Sequence, residues 1–287
     1  MDQTVKENLK EIFGFSQFRG NQEAIVDNIL GGSNTFVIMP TGAGKSLCYQ
    51  LPAVIKNGTA VVISPLIALM KNQVDQLNAF GINAYFLNST LNKSETTKVK
   101  KEVLAGNTKL LYVAPESLTK EENVKFLKEA NISFVAIDEA HCISEWGHDF
   151  RPEYRVLSEL KIQFPTVPVI ALTATADALT KKDIIDQLRL KTYQVFENSF
   201  NRPNITYYVK PKRNYYNELV DYLEAHKGDS GIIYCLSRKS TEELSKKLSD
   251  KGIKVSAYHA GLAHEARTQV QEDFIFDKTE IVCATIA

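Results

Sequence analysis

The feature that most restricts the fold is an alternation of short apolar runs with longer helix-compatible segments. Runs at Thr35 to Met39, Ala60 to Ser64, Leu110 to Val113, Phe134 to Ile137 and Val169 to Leu172 are each only a few residues long and rich in branched side chains. Buried strands have that length and composition. Strands separated by helices pair in parallel, because each crossover places a helix on a face of the sheet. Ahead of them, Val5, Leu9, Ile12 and Phe13 fall at helical spacing, and a second helix from about Gln22 to Leu30 stops at Gly31 and Gly32. A second strand series begins at Gly231 to Cys235, continues at Val255 to Tyr258 and reaches Ile281 to Ala284. Between the two series, Phe200 to Lys212 carries two prolines and several polar residues, which places a domain boundary there. The expected units are residues 1–206 and 207–287.

At 287 residues and 44% hydrophobic content the chain can form real cores, and disorder is excluded. Lys plus Arg and Asp plus Glu each total 34, so bulk charge does not point to a nucleic acid, and any such partner must be read from local residues. Cys48, Cys142, Cys235 and Cys283 lie too far apart for a zinc or disulfide signature and read as reduced thiols. No apolar run reaches membrane-spanning length, and the polar N-terminus lacks the core of a signal peptide. These features lead us to expect a cytoplasmic protein with no membrane contact.

The first strand runs into Pro40, Thr41, Gly42, Ala43, Gly44, Lys45 and Ser46, followed by helix-forming residues from Leu47 to Ala53. This is a phosphate-binding loop pattern, although Met39 stands where the full pattern has its first glycine. Glycines allow the tight turn that aims backbone N–H groups at phosphate oxygens, and the following helix presents its positive end to the same anion. Lys45 would reach the terminal phosphates of ATP, and Ser46 would give a hydroxyl to Mg²⁺. The strand Phe134 to Ile137 ends in Asp138 and Glu139, a position suited to Asp138 as a Mg²⁺ ligand and Glu139 as the group that orients and deprotonates an attacking water. His141 is either a surface imidazole or a link from this pair to a moving part. Thr173 and Thr175, after the strand Val169 to Leu172, offer hydroxyls for a polar relay at the same sheet edge.

Past the acidic pair, Cys142 to Pro152 reads CISEWGHDFRP. Together with the phosphate loop and the Asp-Glu-Ala-His run, this segment resembles the aromatic-rich loop of the RecQ family of superfamily-two DNA helicases. Trp146, His148, Phe150 and Arg151 combine aromatic faces with a cation, as stacking on single-stranded bases requires, and the segment is too polar to line a core. SPLIALMKNQ at 64–73, YVAPESL at 112–118, LTATAD at 172–177 and FNRPN at 200–204 resemble the same family, so the likeness spans nearly the whole chain.

The resemblance implies two RecA-like α/β lobes with parallel sheets flanked by helices. It also implies 3′ to 5′ unwinding of DNA, at single strands and duplex junctions, in recombination and repair. By that carry-over Phe15 stacks on adenine, Gln22 reads its edge and Arg19 supports them; without the family, Phe15 and Gln22 would read equally well as helix residues. GIIYCLSR at 231–238 and YHAGL at 258–262 resemble DNA-facing motifs, while Ser237 and Arg238 also suit a surface turn and His259 a satisfied loop histidine.

Glu280 to Ala287 (EIVCATIA) resembles the start of a motif that in the family continues to an arginine reaching the γ-phosphate. Such an arginine typically contributes about 10³ to 10⁵ in turnover. The expectation is therefore an incomplete second lobe in which Ile281 to Ile286 leave unpaired backbone and exposed apolar surface, and a chain that binds ATP but turns it over slowly and unwinds nothing, unless Arg238 or Arg267 supplies the cation. The zinc-binding, winged-helix and small helical modules that the family implies are not in this sequence. Two other readings are a DEAH-type RNA helicase, against which the aromatic-rich loop argues, and a non-hydrolysing nucleotide and single-strand binder.

Overall fold

The computed structural model describes residues 4–147, 149–199, 201 and 204–285. The chain divides into two compact units, Met1–Ile205 and Thr206–Ala287.

In the first unit, α1 (Val5–Phe13) begins at a capping box in which the Glu7 amide donates to Thr4 Oγ1 and the Thr4 amide donates to the Glu7 carboxylate. It stops at Gly14, whose φ of +73° is a left-handed cap that glycine adopts without strain. There follow α2 (Gln22–Leu30), β1 (Asn34–Ile38), α3 (Leu47–Ile55), β2 (Thr59–Ile63), α4 (Ile67–Ala79), β3 (Ala84–Leu87), α5 (Lys93–Leu104), β4 (Leu110–Val113), α6 (Glu121–Glu129) and β5 (Ile132–Ile137). The unit closes with α7 (Leu160–Gln163), β6 (Val169–Thr173), α8 (Ala178–Gln187) and β7 (Tyr193–Glu197). The strands form one parallel sheet in the order β3-β4-β2-β5-β6-β1-β7.

Strands β2 and β6 are buried along their whole length, because helices cover both faces. The alternate side chains of β1, β2, β5 and β6 feed two cores. Phe36, Val61, Val135 and Ala171 pack on one face, and Val37, Val62, Ala136 and Leu172 on the other. The sequence reading missed two strands. β3 (Ala-Tyr-Phe-Leu) is apolar but only four residues long at one sheet edge, and β7 is a largely exposed strand at the other, so neither stands out as a strand along the chain.

The second unit holds α9 (Tyr215–Ala225), β8 (Gly231–Tyr234), α10 (Arg238–Ser249), β9 (Val255–Tyr258), α11 (His264–Ile275) and β10 (Ile281–Ala284). Its parallel sheet runs β8-β10-β9. One expectation is corrected here. Ile281–Ala284 is not left unpaired: it is the buried central strand, bonded on both sides, because the crossovers place the last strand between the first two. Exposed apolar surface instead belongs to Ile232 and Tyr234 on β8 and to Tyr207, Tyr208 and Val209. Ile286 lies outside the described residues.

Candidate functional site

The strand order β5-β6-β1 explains how residues a hundred positions apart come together. Each strand ends at the same edge, with Ile38 of β1 in register with Thr173 of β6, and Ile137 of β5 in register with Ala171. Neighbouring strands lie about 4.8 Å apart, so the phosphate loop after β1 and the acidic pair after β5 face each other at about 10 Å across Thr173. The Met39 amide donates to the Thr173 carbonyl at 3.1 Å and extends that pairing into the loop.

In the phosphate loop, Gly42 and Gly44 have φ of +81° and +82°, conformations that turn successive amides toward one concavity. A Cβ on Gly44 would collide with the side-chain amide of Gln22. Lys45 Nζ donates to the Met39 carbonyl at 3.1 Å, which holds the ammonium over the loop. Behind Ser46, the hydroxyl of fully buried Tyr49 lies beside those of Ser46 and Tyr112. Thr41 and Ala43 fall in the same turn, as the sequence spacing requires.

Gln22 is 3% exposed. Its amide Nε2 donates to the Ala43 and Gly44 carbonyls at 3.2 and 3.1 Å, and its Oε1 accepts from the Arg19 amide at 2.9 Å. Here its polar atoms brace the phosphate loop from behind. Phe15 and Arg19 are exposed nearby in the chain, free of the core, as a base-contacting pair would need to be. Gln22→Ala is therefore expected to weaken binding of every nucleoside triphosphate and to lower the preference for ATP over GTP. In titrations with both nucleotides, an equal loss for the two would assign Gln22 to loop support alone, and no loss would remove it from the site.

Asp138 continues β5 by donating its amide to the Ile63 carbonyl at 2.9 Å, and its own carbonyl accepts from the buried Tyr154 hydroxyl at 3.1 Å. Burial, and then the neighbouring Glu139 carboxylate, push the Asp138 carboxyl up to about 6, against the pull of the Glu139 amide and Lys45. Glu139 sits at φ 49°, ψ 47°, a left-handed conformation uncommon for a residue with a side chain and a mark of sites where geometry is imposed by the surroundings. A buried carboxylate beside a second one, facing a lysine-bearing phosphate loop, is short of positive charge. A divalent cation held with Ser46 would supply it.

His141 is buried, not a surface imidazole. Its Nδ1 lies 3.0 Å from Thr173 Oγ1 and 3.3 Å from a Glu139 carboxylate oxygen. Thr173 Oγ1 in turn donates to the Thr175 carbonyl at 3.0 Å. The acidic pair and the two threonines are thus joined through one imidazole.

After the turn Ala140–Ile143, the loop is pinned from several sides. Ser144 Oγ donates to Asp183 Oδ2 on α8 at 2.6 Å and accepts from the Trp146 amide at 3.2 Å. Gly147 packs against the His141 carbonyl so closely that a Cβ would overlap it. Trp146 is 67% exposed, so the alternative of a core tryptophan is ruled out. Phe150 is half-buried with the Arg155 guanidinium 5.3 Å from its ring centre. Arg151 donates to Asp149 Oδ2 through Nε and Nη2 at 3.1 and 3.0 Å, and through Nη1 to the Pro65 carbonyl at 3.4 Å. His148 lies outside the described residues. Sequence reasoning missed Ser144, Tyr154 and Asp183, whose parts depend on partners across the fold.

Residues 19–184 match the DEAD/DEAH box helicase family, and residues 214–287 match the helicase conserved C-terminal domain. The chain belongs to the DEAD/DEAH box helicase family. Among relatives of this helicase chain, the ATP-dependent DNA helicase RecQ of Haemophilus influenzae is 48% identical over 279 residues, covering 97% of this chain and 45% of the relative. RecQ of Pasteurella multocida is also 48% identical, over 287 residues that cover 100% of this chain and 45% of the relative. The RecQ-like DNA helicase blm-1 of Caenorhabditis elegans is 42% identical, with 100% and 30% covered. This chain thus spans less than half the length of these relatives. Among solved structures, the helicase MrfA bound to DNA and AMPPNP superposes with a TM-score of 0.76 at 19% identity, covering 99% of this chain and 44% of that one. Lhr of Mycobacterium smegmatis, bound to single-stranded DNA and AMP-PNP, gives 0.71 at 20%, covering 99% and 41%. At such identity the likeness speaks for the fold, which is two RecA-like lobes with parallel sheets flanked by helices. Among the described residues no helix is long and apolar enough to cross a membrane.

Proposed function

We propose that this chain is the ATP-driven motor of a RecQ-like DNA helicase, with residues 1–206 as its first lobe and 207–287 belonging to its second. The observation that carries the reading is the position of the loop bearing Trp146. The loop bearing Trp146 is joined through Asp149 and Arg151 to Pro65 and follows directly on the acidic pair that faces the phosphate loop.

Lys45 and the loop amides bind the phosphates of ATP, and Ser46 and Asp138 hold Mg²⁺, whose chemistry is to offset charge developing on the transferred phosphoryl group. Glu139 orients the attacking water and accepts its proton. His141, Thr173 and Thr175 couple that turn to the rest of the lobe. Single-stranded DNA stacks on Trp146 with Phe150 and Arg151 at its side, so strand binding acts on the loop that begins at the catalytic turn. The direction, 3′ to 5′, follows the family resemblance, as does action on single strands and duplex junctions.

The decisive measurement is ATP turnover with and without single-stranded DNA, on this chain and on a version extended beyond Ala287, together with strand displacement on substrates of opposite polarity. Stimulation by DNA and displacement from a 3′ tail are expected of the extended version, and turnover indifferent to DNA in that version overturns the reading. In the extended version, Trp146→Ala is expected to weaken single-strand binding by about 1–3 kcal/mol and to reduce DNA stimulation more than basal turnover. Loss of basal turnover with stimulation intact would deny Trp146 a sensing role.

A further inference from the structure

Close to the catalytic turn, three side chains of different chemistry converge: a nitrogen of His141, the sulfur of Cys142 and a carboxylate oxygen of Asp149 all lie within 4.8 Å of one another. His141 Nε2 is 3.8 Å from Cys142 Sγ, and Sγ is 3.9 Å from Asp149 Oδ2. A tetrahedral zinc site with bonds of about 2.0–2.3 Å separates its ligand atoms by about 3.3–3.7 Å. Small movements of the Asp149 loop therefore close the observed triangle to that geometry. His141 and Cys142 are buried while Asp149 is exposed, so the third side gives a path from solvent and room for a water as fourth ligand.

The outer contacts have the form that metal-bound histidines use. Nδ1 of His141 is 3.3 Å from the Glu139 carboxylate and 3.0 Å from Thr173 Oγ1, partners that can hold its proton on Nδ1. The lone pair of Nε2 is then directed toward the Cys142 sulfur. A carboxylate behind a histidine fixes the ring and raises its basicity toward a metal. A nitrogen, a sulfur and one carboxylate select zinc-class cations over Mg²⁺, which prefers oxygen ligands.

We propose that His141, Cys142 and Asp149 form a binding site for Zn²⁺ or a chemically similar soft divalent cation. Binding replaces the thiol proton of Cys142 with the metal and releases that proton to solvent. It also draws Asp149 from Arg151, whose guanidinium now holds the same oxygen. A cation there ties the loop that carries Trp146 to the turn that carries Glu139 and His141. Unlike the Mg²⁺ assigned to Ser46 and Asp138, it needs no nucleotide, and the proposal stands whether or not the helicase reading does.

The test is direct metal binding by the whole chain without nucleotide or DNA. Zn²⁺ is titrated against a chromogenic chelator, and Co²⁺ is followed by its thiolate charge-transfer absorption. One equivalent of Zn²⁺ is expected, with a Co²⁺–thiolate band that Cys142→Ser abolishes. Asp149→Asn, a change on the exposed loop that leaves the core untouched, is expected to weaken Zn²⁺ at least about tenfold. The proposal fails if the parent chain takes up no Zn²⁺ in competition. It fails equally if Asp149→Asn and Cys142→Ser, each folded by circular dichroism, bind as the parent does, since the metal then sits on other thiols.

Discussion

Glu139→Gln is expected to lower ATP turnover roughly 10²–10⁴-fold, the usual worth of a positioned general base, while leaving nucleotide affinity close to that of the parent. The contrast with Lys45→Ala makes the result specific. An ammonium beside two phosphates makes charge-assisted contacts that a methyl group cannot replace, so that variant should lose ATP binding itself. Glutamine at 139 keeps the size and polarity of the side chain but cannot take a proton from water. Fluorescent-nucleotide titration and steady-state turnover on the two variants separate the roles. Equal turnover by Glu139→Gln and the parent would remove Glu139 from the chemistry, and unchanged affinity in Lys45→Ala would remove the phosphate-loop assignment.

Asp138→Asn should also abolish Mg²⁺-dependent turnover, yet make the first unit more stable. The carboxyl stands at about 6 in the fold against an ordinary 3.8, so folding favours its protonated form. The destabilisation is fully present above pH 6, where the buried group is ionised, and fades as pH falls toward 3.8, where folded and unfolded chains both hold the proton. At about 1.4 kcal/mol per pH unit, relief of the shift is on the order of 1–3 kcal/mol. For a unit of this size each kcal/mol moves the midpoint by about 2–4 °C. Asparagine can still accept the Glu139 amide bond that Asp138 Oδ1 accepts now, so little else changes. Thermal melts at pH 8 and pH 5 check this. A gain at pH 8 that shrinks at pH 5 is expected, and a loss of stability at pH 8 would mean that Asp138 is held by charges which already compensate it. The same proton competes with Mg²⁺, so nucleotide affinity in the parent should fall below pH 6.

Sequence alone determined the class of fold and marked the residues to which the chemistry of the first lobe is assigned as a proposal. Apolar strand runs and the glycines at 42 and 44 are local signals, because a buried parallel strand and a left-handed turn each restrict composition at the residues that form them. The same holds for the carboxylates at the tip of β5. Strands β3 and β7 were hidden because one is short and the other an exposed edge, and each exists through its neighbour's backbone more than through its own side chains. That β10 is central could not be read from Ile281–Ala284, since strand order is set by how crossovers pack.

Tertiary structure decided which atoms meet. Gln22 resembled a base reader in sequence, and only the packing of α2 behind the phosphate loop turned its amide onto two backbone carbonyls. His141 was readable as a surface imidazole until the parallel pairing of β5 and β6 set Thr173 against it. Cys142 and Asp149 are seven positions apart and carry no metal signature along the chain. They face each other because the turn at Ala140–Ile143 and the close fit of Gly147 on the His141 carbonyl fold the loop back on itself. Composition and spacing constrain each residue with its near neighbours. Hydrogen-bond partners far apart in the chain are chosen by strand order and helix packing, which emerge only when the whole sheet closes.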